Sequence, residues 1–182
     1  MKKLLAVLSV ACCATVAAWA EEKSDCLKEG DSVAAFYVTD VTGPSAGDKL
    51  CYRCKYGARP VVSIFAKQMN DKVAKLTKQI DDQVGANKDA KMAAFVVVLT
   101  EDPEAQTEAL KTVAAKQEIK NTPLTTFDGL AGPDKYKISK DADVTVMMWV
   151  DSKVKVNEAL KANELTDEKI ATLAKSTSKI LN

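Results

Sequence analysis

The sequence predicts an α/β fold: a central mixed sheet, largely parallel, with helices packed on it and an antiparallel hairpin and a last helix at its C-terminal end. Three observations predict it. Two short runs, Val61 to Ala66 and Ala93 to Leu99, are apolar almost without interruption, as strands buried on both faces of a parallel sheet are. Each is followed by a stretch with helical periodicity, the alternation that builds β-α-β units. Late in the chain, two β-rich runs flank Asp151-Ser152-Lys153, which reads as a hairpin.

Taken in order, residues 1–20 read as a secretory signal. Lys2 and Lys3 precede an apolar stretch from Leu4 to Ala18, and Ala18-Trp19-Ala20 has the small-x-small pattern of a cleavage site, so cleavage is expected after Ala20. Those 15 residues fall short of the roughly 18 or more apolar residues of a membrane span. Lipidation at Cys12 is a second reading, against which stands Ser9 where bacterial lipoprotein signals favour leucine. Residues 21–29 are polar and read as a flexible lead-in, and residues 30–182 as one domain.

Within that domain Val33 to Val41 is β-branched and aromatic enough for a strand, closed by the turn run from Thr42 to Asp48. A loop carrying Cys51-Tyr52-Arg53-Cys54 leads to the first central strand. From Asn70 to Val84 the residues Val73, Leu76, Ile80 and Val84 recur at spacings of three and four, which predicts an amphipathic helix. After the second central strand Asp102 is placed to cap a helix opening on Pro103 and Glu104, running to about Glu118 and burying Leu110, Val113 and Ala114. Leu124 to Phe127 is a third strand, and Val144 to Val150 with Val154 to Val156 form the hairpin. Thr166 caps a terminal helix with Asp167 and Glu168 in its first turn and Ile170, Leu173, Thr177 and Ile180 on one face.

Composition removes several kinds of function. Lys and Arg number 26 against 25 Asp and Glu, so no basic footprint marks nucleic acid as a partner. The chain contains no histidine, which excludes the Ser-His-Asp triad, histidine-based zinc and iron sites and c-type haem attachment. What remains is the chemistry of thiols, carboxylates, amines and hydroxyls. No motif calls for a cofactor. Asp81-Asp82 reads as a solvated helix end, Glu101-Asp102 as a capping region, and Met147, Met148 and Trp149 as residues alternating across a strand.

Export places the thiols where disulfides persist, in a periplasmic or secreted protein. Of five cysteines, Cys12 and Cys13 leave with the signal; Cys26, Cys51 and Cys54 stay. Cys51 and Cys54 are spaced to close a small ring, while Cys26 is the odd thiol. Arg53, Lys55 and Arg59 would favour a thiolate there by Coulomb attraction. Two alternatives stay open: a structural disulfide, within the pair or from Cys26 to one of its members, and a metal site, for which three thiols without histidine are one ligand short of zinc.

Several segments together resemble a known family. Gly30 to Phe36, Arg59-Pro60-Val61-Val62-Ser63-Ile64-Phe65, the stretch from Phe95 to Glu104 with its Asp102-Pro103-Glu104, Thr122-Pro123-Leu124, and the hairpin opening Val144 to Asp151 occur in the order found in the thioredoxin-like (redoxin) group. The likeness is to its peroxiredoxins of the alkyl hydroperoxide reductase and thiol-specific antioxidant type and to exported TlpA-like proteins. The resemblance implies a three-layer fold and thiol-disulfide chemistry with protein thiols or disulfides as partners. It also implies Cys51, the first cysteine of the pair, as nucleophile. The departures are equally plain: where the family carries its reactive cysteine, Ala66 to Asp71 has no thiol, Ala142-Asp143 stands where an arginine is expected, and Asp143-Val144 where thioredoxins have a cis-proline. A peroxiredoxin-type peroxidase is therefore not expected. Two functions of different class follow, a thiol-disulfide oxidoreductase using Cys51 and Cys54, and a catalytically silent binding or structural protein on the same scaffold.

Overall fold

The computed structural model describes residues 26–181. The proposed signal, its cleavage site and the Cys12 alternative lie outside the described residues. The strands are β1 (Val38–Asp40), β2 (Lys49–Leu50), β3 (Val61–Ala66), β4 (Ala93–Thr100), β5 (Leu124–Asp128), β6 (Val144–Val150) and β7 (Lys153–Leu160), and the helices α1 (Tyr52–Tyr56), α2 (Asp71–Ala86), α3 (Pro103–Lys116) and α4 (Asp167–Ser176). The strands form one sheet in the order β2-β1-β5-β4-β3-β6-β7. Its centre, β5-β4-β3, is parallel, and β6, β7, β1 and β2 add antiparallel strands on either side.

The two apolar runs are neighbours, Val61 to Ala66 in register with Ala93 to Val98, and every residue of β3 and β4 is buried. Side chains alternate between two cores. Val62, Ile64 and Ala66 meet α2 and α4 residues such as Leu76, Ile80 and Leu173, together with Leu110 of α3. Val61 and Phe65 face the other way, toward Phe36, Tyr52, Phe95, Tyr136 and Trp149. The three long helices thus make one outer layer, and α1, the segment from Val33 to Phe36 and a 3-10 turn at Asp134–Tyr136 make the other.

Side chains cap the helix starts, at Asp102 and Thr166 as the sequence predicts and also at Asn70. Asn70, Asp102 and Thr166 accept from the backbone N–H groups of Val73, Ala105 and Lys169, three residues on in each case. At the hairpin turn Asp151 and Ser152 both take positive φ, the conformation that lets a two-residue loop follow the twist of its strands.

The structure corrects the sequence reading in several places. The strand expected from Val33 is confined to Val38–Asp40, because Val33 and Phe36 both turn inward and the carbonyl of Ala34 accepts from the Tyr136 hydroxyl at 2.9 Å instead of from a strand. Helix α3 stops at Lys116, Glu118 adopts φ 50°, and of its expected core residues only Leu110 is fully buried. The terminal helix ends at Ser176, leaving Thr177 and Ile180 on a 3-10 turn. Asp81 is not solvated: it is 1% exposed and accepts from the backbone N–H of Asn121 at 2.6 Å and from that of Lys120. The loop amides of Lys120 and Asn121 have no strand or helix to donate to, and a carboxylate on the neighbouring helix supplies their acceptor. Leu27, inside the stretch read as a lead-in, packs on the second core, and its carbonyl accepts from Asn157 Nδ2 at 2.7 Å.

Candidate functional site

The Cys51–Cys54 loop of the sequence reading is a helix of five residues, α1. It is too short for hydrophobic periodicity to reveal. Lys55 N–H donates to the Cys51 carbonyl, Gly57 N–H to that of Arg53, and Gly57 ends the turn at φ 59°. Tyr52 fastens the helix to the sheet: its ring stacks on Phe95 at 5.3 Å between centroids, and its hydroxyl donates to Asp40 Oδ2 at 2.9 Å.

Asp40 is the anchor beneath. It is 1% exposed, and besides the phenol it accepts from the backbone N–H of Gly43 at 2.8 Å and of Ser45 at 2.9 Å. A buried carboxylate with three donors is stable where an unpaired one is not. Burial and the adjacent Asp40 push the Tyr52 phenol far above its ordinary range, so it stays a hydrogen-bond donor at every physiological pH. Gly43 has to be glycine because a Cβ there would lie 2.5 and 2.6 Å from the Asp40 carboxylate oxygens. An aspartate ahead of a Gly-Pro-Ser run is a turn signal in the sequence, but its burial and its tie to Tyr52 are tertiary facts.

On this platform Cys51 and Cys54 are joined in a disulfide, with their Cα atoms 5.2 Å apart. The two sulfurs are not equivalent. Cys51 is only 7% exposed and its Sγ accepts from the Cys54 N–H at 3.1 Å, whereas Cys54 is exposed. The three nearby cations have other neighbours. Lys55 Nζ lies 5.7 Å above the Tyr52 ring, Arg53 buries its Nε without a hydrogen-bond partner on the side of Tyr136, and Arg59 lies close enough to Tyr56 to oppose the rise that burial gives that phenol. Cys26 is a free, half-buried thiol beside Leu27 at the β7 edge. Tyr52 of α1 sits over Phe95 on β4; β4 and β7 are three strands apart, roughly 14 Å across the sheet.

The end of β3, where the resemblance places a reactive cysteine, is an ordinary helix entrance. Asn70 caps α2, Lys67 N–H donates to the Asp143 carbonyl at 3.0 Å, and Lys67 Nζ donates to the Lys140 carbonyl at 2.7 Å. Two clefts lie outside this entrance. One of about 480 Å³ borders α1 on its Tyr52–Lys55–Tyr56 side, and one of about 590 Å³ lies between α3 and the strands β1, β2 and β5. Among the described residues no group of three or more Cys, Asp or Glu could hold a metal ion, and no helix is long and apolar enough to cross a membrane.

Solved structures share this architecture. The thioredoxin domain of a thiol-disulfide oxidoreductase from Bacteroides vulgatus superposes with a TM-score of 0.61 at 14% identity, covering 86% of this chain and 99% of its own. The fold is thioredoxin-like. Peroxidoxin BcpB from Mycobacterium tuberculosis gives 0.56 at 19% identity, covering 82% and 97%, and peroxiredoxin 6 of Arenicola marina gives 0.61 at 14%, covering 84% and 72%. At such identities the likeness concerns the redoxin scaffold and its mixed sheet, not the site. No family model matches the chain, and no curated protein matches it.

Proposed function

We propose that this redoxin-fold chain performs thiol-disulfide exchange through Cys51 and Cys54, with Cys54 as the sulfur attacked and Cys51 as the leaving group. One observation carries the reading: the disulfide pairs an exposed cysteine with a buried one whose Sγ already accepts a backbone N–H. An incoming substrate thiolate forms a bond to Cys54 Sγ, the Cys51–Cys54 bond breaks, and the electron pair leaves on Cys51 as a thiolate held by the Cys54 amide. A second substrate thiolate then attacks the substrate sulfur of the mixed disulfide and releases Cys54. The substrate dithiol has lost two electrons and the pair has gained them; run in reverse, the reduced pair reduces a substrate disulfide. These roles exchange those expected from the family resemblance, which made Cys51 the nucleophile. Arg53, Lys55 and Arg59 act in this reading only as nearby positive charge favouring the thiolate form.

Peroxide reduction of the peroxiredoxin kind is no part of the proposal, since Ala66 to Asp71 offers no thiol at the start of α2. The proposal includes export: cleavage after Ala20 delivers residues 21–182 to a periplasmic or extracellular compartment, where the substrates are protein thiols and disulfides. The mature protein should then begin at Glu21 by N-terminal sequencing.

A second reading, a structural disulfide on a silent scaffold, is favoured by the way Tyr52 ties α1 to Asp40 and Phe95. A redox titration of the full chain with thiol counting by mass spectrometry separates the two. Exchange chemistry requires a potential above about −300 mV, and a Cys51→Ser variant should accumulate a mixed disulfide at Cys54. A pair that stays oxidised at lower potential, or a Cys51→Ser variant that captures nothing, assigns the disulfide to structure.

A further inference from the structure

The cleft of about 480 Å³ beside α1 adjoins the exposed sulfur, and its charge is of one sign. Its walls are the Tyr52–Lys55–Tyr56 side of α1, the turn at Gly43 and the loop 119–123 that leads into β5. Lys55 and Lys120 carry the only full charges on those walls, and both are exposed. Neither ammonium pairs with a carboxylate among the described residues. The two acids bonded to the walls, Asp40 and Asp81, are each 1% exposed and already hold three donors apiece. Lys55 directly follows Cys54, their Cα atoms about 3.8 Å apart as across any trans peptide, and it stands one helical turn after Cys51, to whose carbonyl its N–H donates. Its ammonium lies 5.7 Å from the centre of the Tyr52 ring, which Phe95 and Asp40 hold in place.

In the exchange chemistry a substrate thiolate bonds to Cys54 Sγ, the Cys51–Cys54 bond breaks, and the electron pair leaves on Cys51. The substrate chain is then tethered beside this cleft by a covalent bond. A tethered chain needs no deep pocket, only a preference among the neighbours of its cysteine. Extended polypeptide advances about 3.4 Å per residue, so side chains one to three positions from the substrate cysteine reach the space between Lys55 and Lys120. Carboxylates at those positions meet two ammonium groups, while lysine or arginine meets like charge. Pro44, Tyr56 and Pro123 add apolar wall on which a chain can lie, which favours a polypeptide over a small anionic thiol.

We propose that this cleft makes the exchange site selective for cysteines flanked by acidic residues in a partner polypeptide, with Lys55 and Lys120 receiving the flanking carboxylates; the selectivity rests on exchange at Cys54. The oxidised full chain is mixed with three peptides, each carrying one cysteine flanked by glutamates, glutamines or lysines. Each rate of protein reduction is divided by the same peptide's rate with hydroxyethyl disulfide, which removes the peptide's own thiol reactivity. On that scale the glutamate peptide should react about tenfold faster than the lysine peptide at low salt, and added salt should narrow the gap. Lys55→Gln and Lys120→Gln should each shrink the ratio about threefold, the size expected of an exposed charge pair. A ratio does not move when a variant alters only the reactivity of the protein's own sulfurs. Lys175→Gln, which removes the same charge from α4 on the opposite face of the sheet, should leave it unchanged. Equal rates for the glutamate and lysine peptides, a ratio indifferent to both Lys55→Gln and Lys120→Gln, or glutathione reacting as fast as the glutamate peptide with the same dependence on these variants overturns the assignment. Dithiothreitol separates this from a failure of the exchange chemistry itself: reduction by it without any charge preference sinks the selectivity alone, whereas a pair that no thiol reduces in the native protein sinks both.

Discussion

On the helical face of the sheet the buried core is aliphatic throughout, from Val62 and Ile64 to Leu76, Ile80, Leu173 and Ile180. On the opposite face six aromatic side chains, Phe36, Tyr52, Phe65, Phe95, Tyr136 and Trp149, dominate. The difference follows from what covers each face. Long helices bring closely spaced rows of medium-sized side chains to the sheet, and aliphatic residues fill the space between. Where the cover is a five-residue helix, a 3-10 turn and an extended segment, fewer residues must span the same gap, and large rings span it. The cost appears in polar groups. Arg53 Nε, Trp149 Nε1, Thr145 Oγ1 and Asn157 Oδ1 are buried without partners, the first two beside or within that aromatic core, and on the helical face so is Thr126 Oγ1. The disulfide belongs to this less regular layer, so its exposure and opening are governed by ring packing, not by the helical core.

That contrast can be broken most strongly at Phe95, which stacks on Tyr52, lies near Tyr56 and meets the edge of Trp149. Phe95→Ala should cost about 4 kcal/mol and accelerate reduction of Cys51–Cys54 by dithiothreitol, because the ring that holds α1 down is gone. Leu76→Ala, fully buried on the other face, should cost about 3 kcal/mol and leave the reduction rate of the folded protein unchanged. Denaturant melts give the first quantity and stopped-time thiol counting the second. Equal acceleration by both variants would show that the two layers open together.

Asp40 sharpens the comparison at a smaller scale. Asp40→Ala leaves two backbone N–H groups and the Tyr52 hydroxyl without their acceptor, at an expected cost of about 3 kcal/mol. Gly43→Ala forces a Cβ into the same carboxylate and should cost about 2 kcal/mol. Both should loosen α1 and raise disulfide reactivity. Asn70→Ala, which removes the cap of α2 at the end of β3, should cost about 1 kcal/mol and leave the disulfide as it was. Urea midpoints and the same reduction assay order the three variants.

The two faces were also unequally legible. Val73, Leu76, Ile80 and Val84 announce α2 by spacing, and the apolar runs announce β3 and β4, because period and composition are local properties. The aromatic layer has no period to read. Phe36 and Tyr136 meet at 4.7 Å across a hundred residues of chain, and α1 is shorter than a window that could reveal it. For the site, the Cys51-x-x-Cys54 spacing was visible, and Cys26 is a free thiol. Which cysteine is buried was not, since that depends on how Tyr52 seats the helix against Phe95 and Asp40. Asp81 failed for a related reason: an acid on a helix reads as solvated until a loop from elsewhere presents its amides.

The smallest expected effect lies on the helical face, where Asp167 at the start of α4 pairs with Lys72 at 2.7 Å and Lys75 at 2.9 Å on α2. These hydrogen-bonded ammonium groups hold its carboxyl down at about 2. A carboxyl whose folded value lies below its unfolded one, near 3.8, adds stability that is complete above the unfolded value and disappears as pH falls through the folded one. The pair is about half exposed, so solvent and salt screen most of its attraction. Asp167→Asn should therefore melt slightly below wild type at neutral pH and low salt, and the difference should close between about pH 4 and pH 2. Added salt should close it at neutral pH as well. Calorimetric melts across that range check the sign, and a gap that widens on acidification would mean that Asp167 is held by something other than these two lysines.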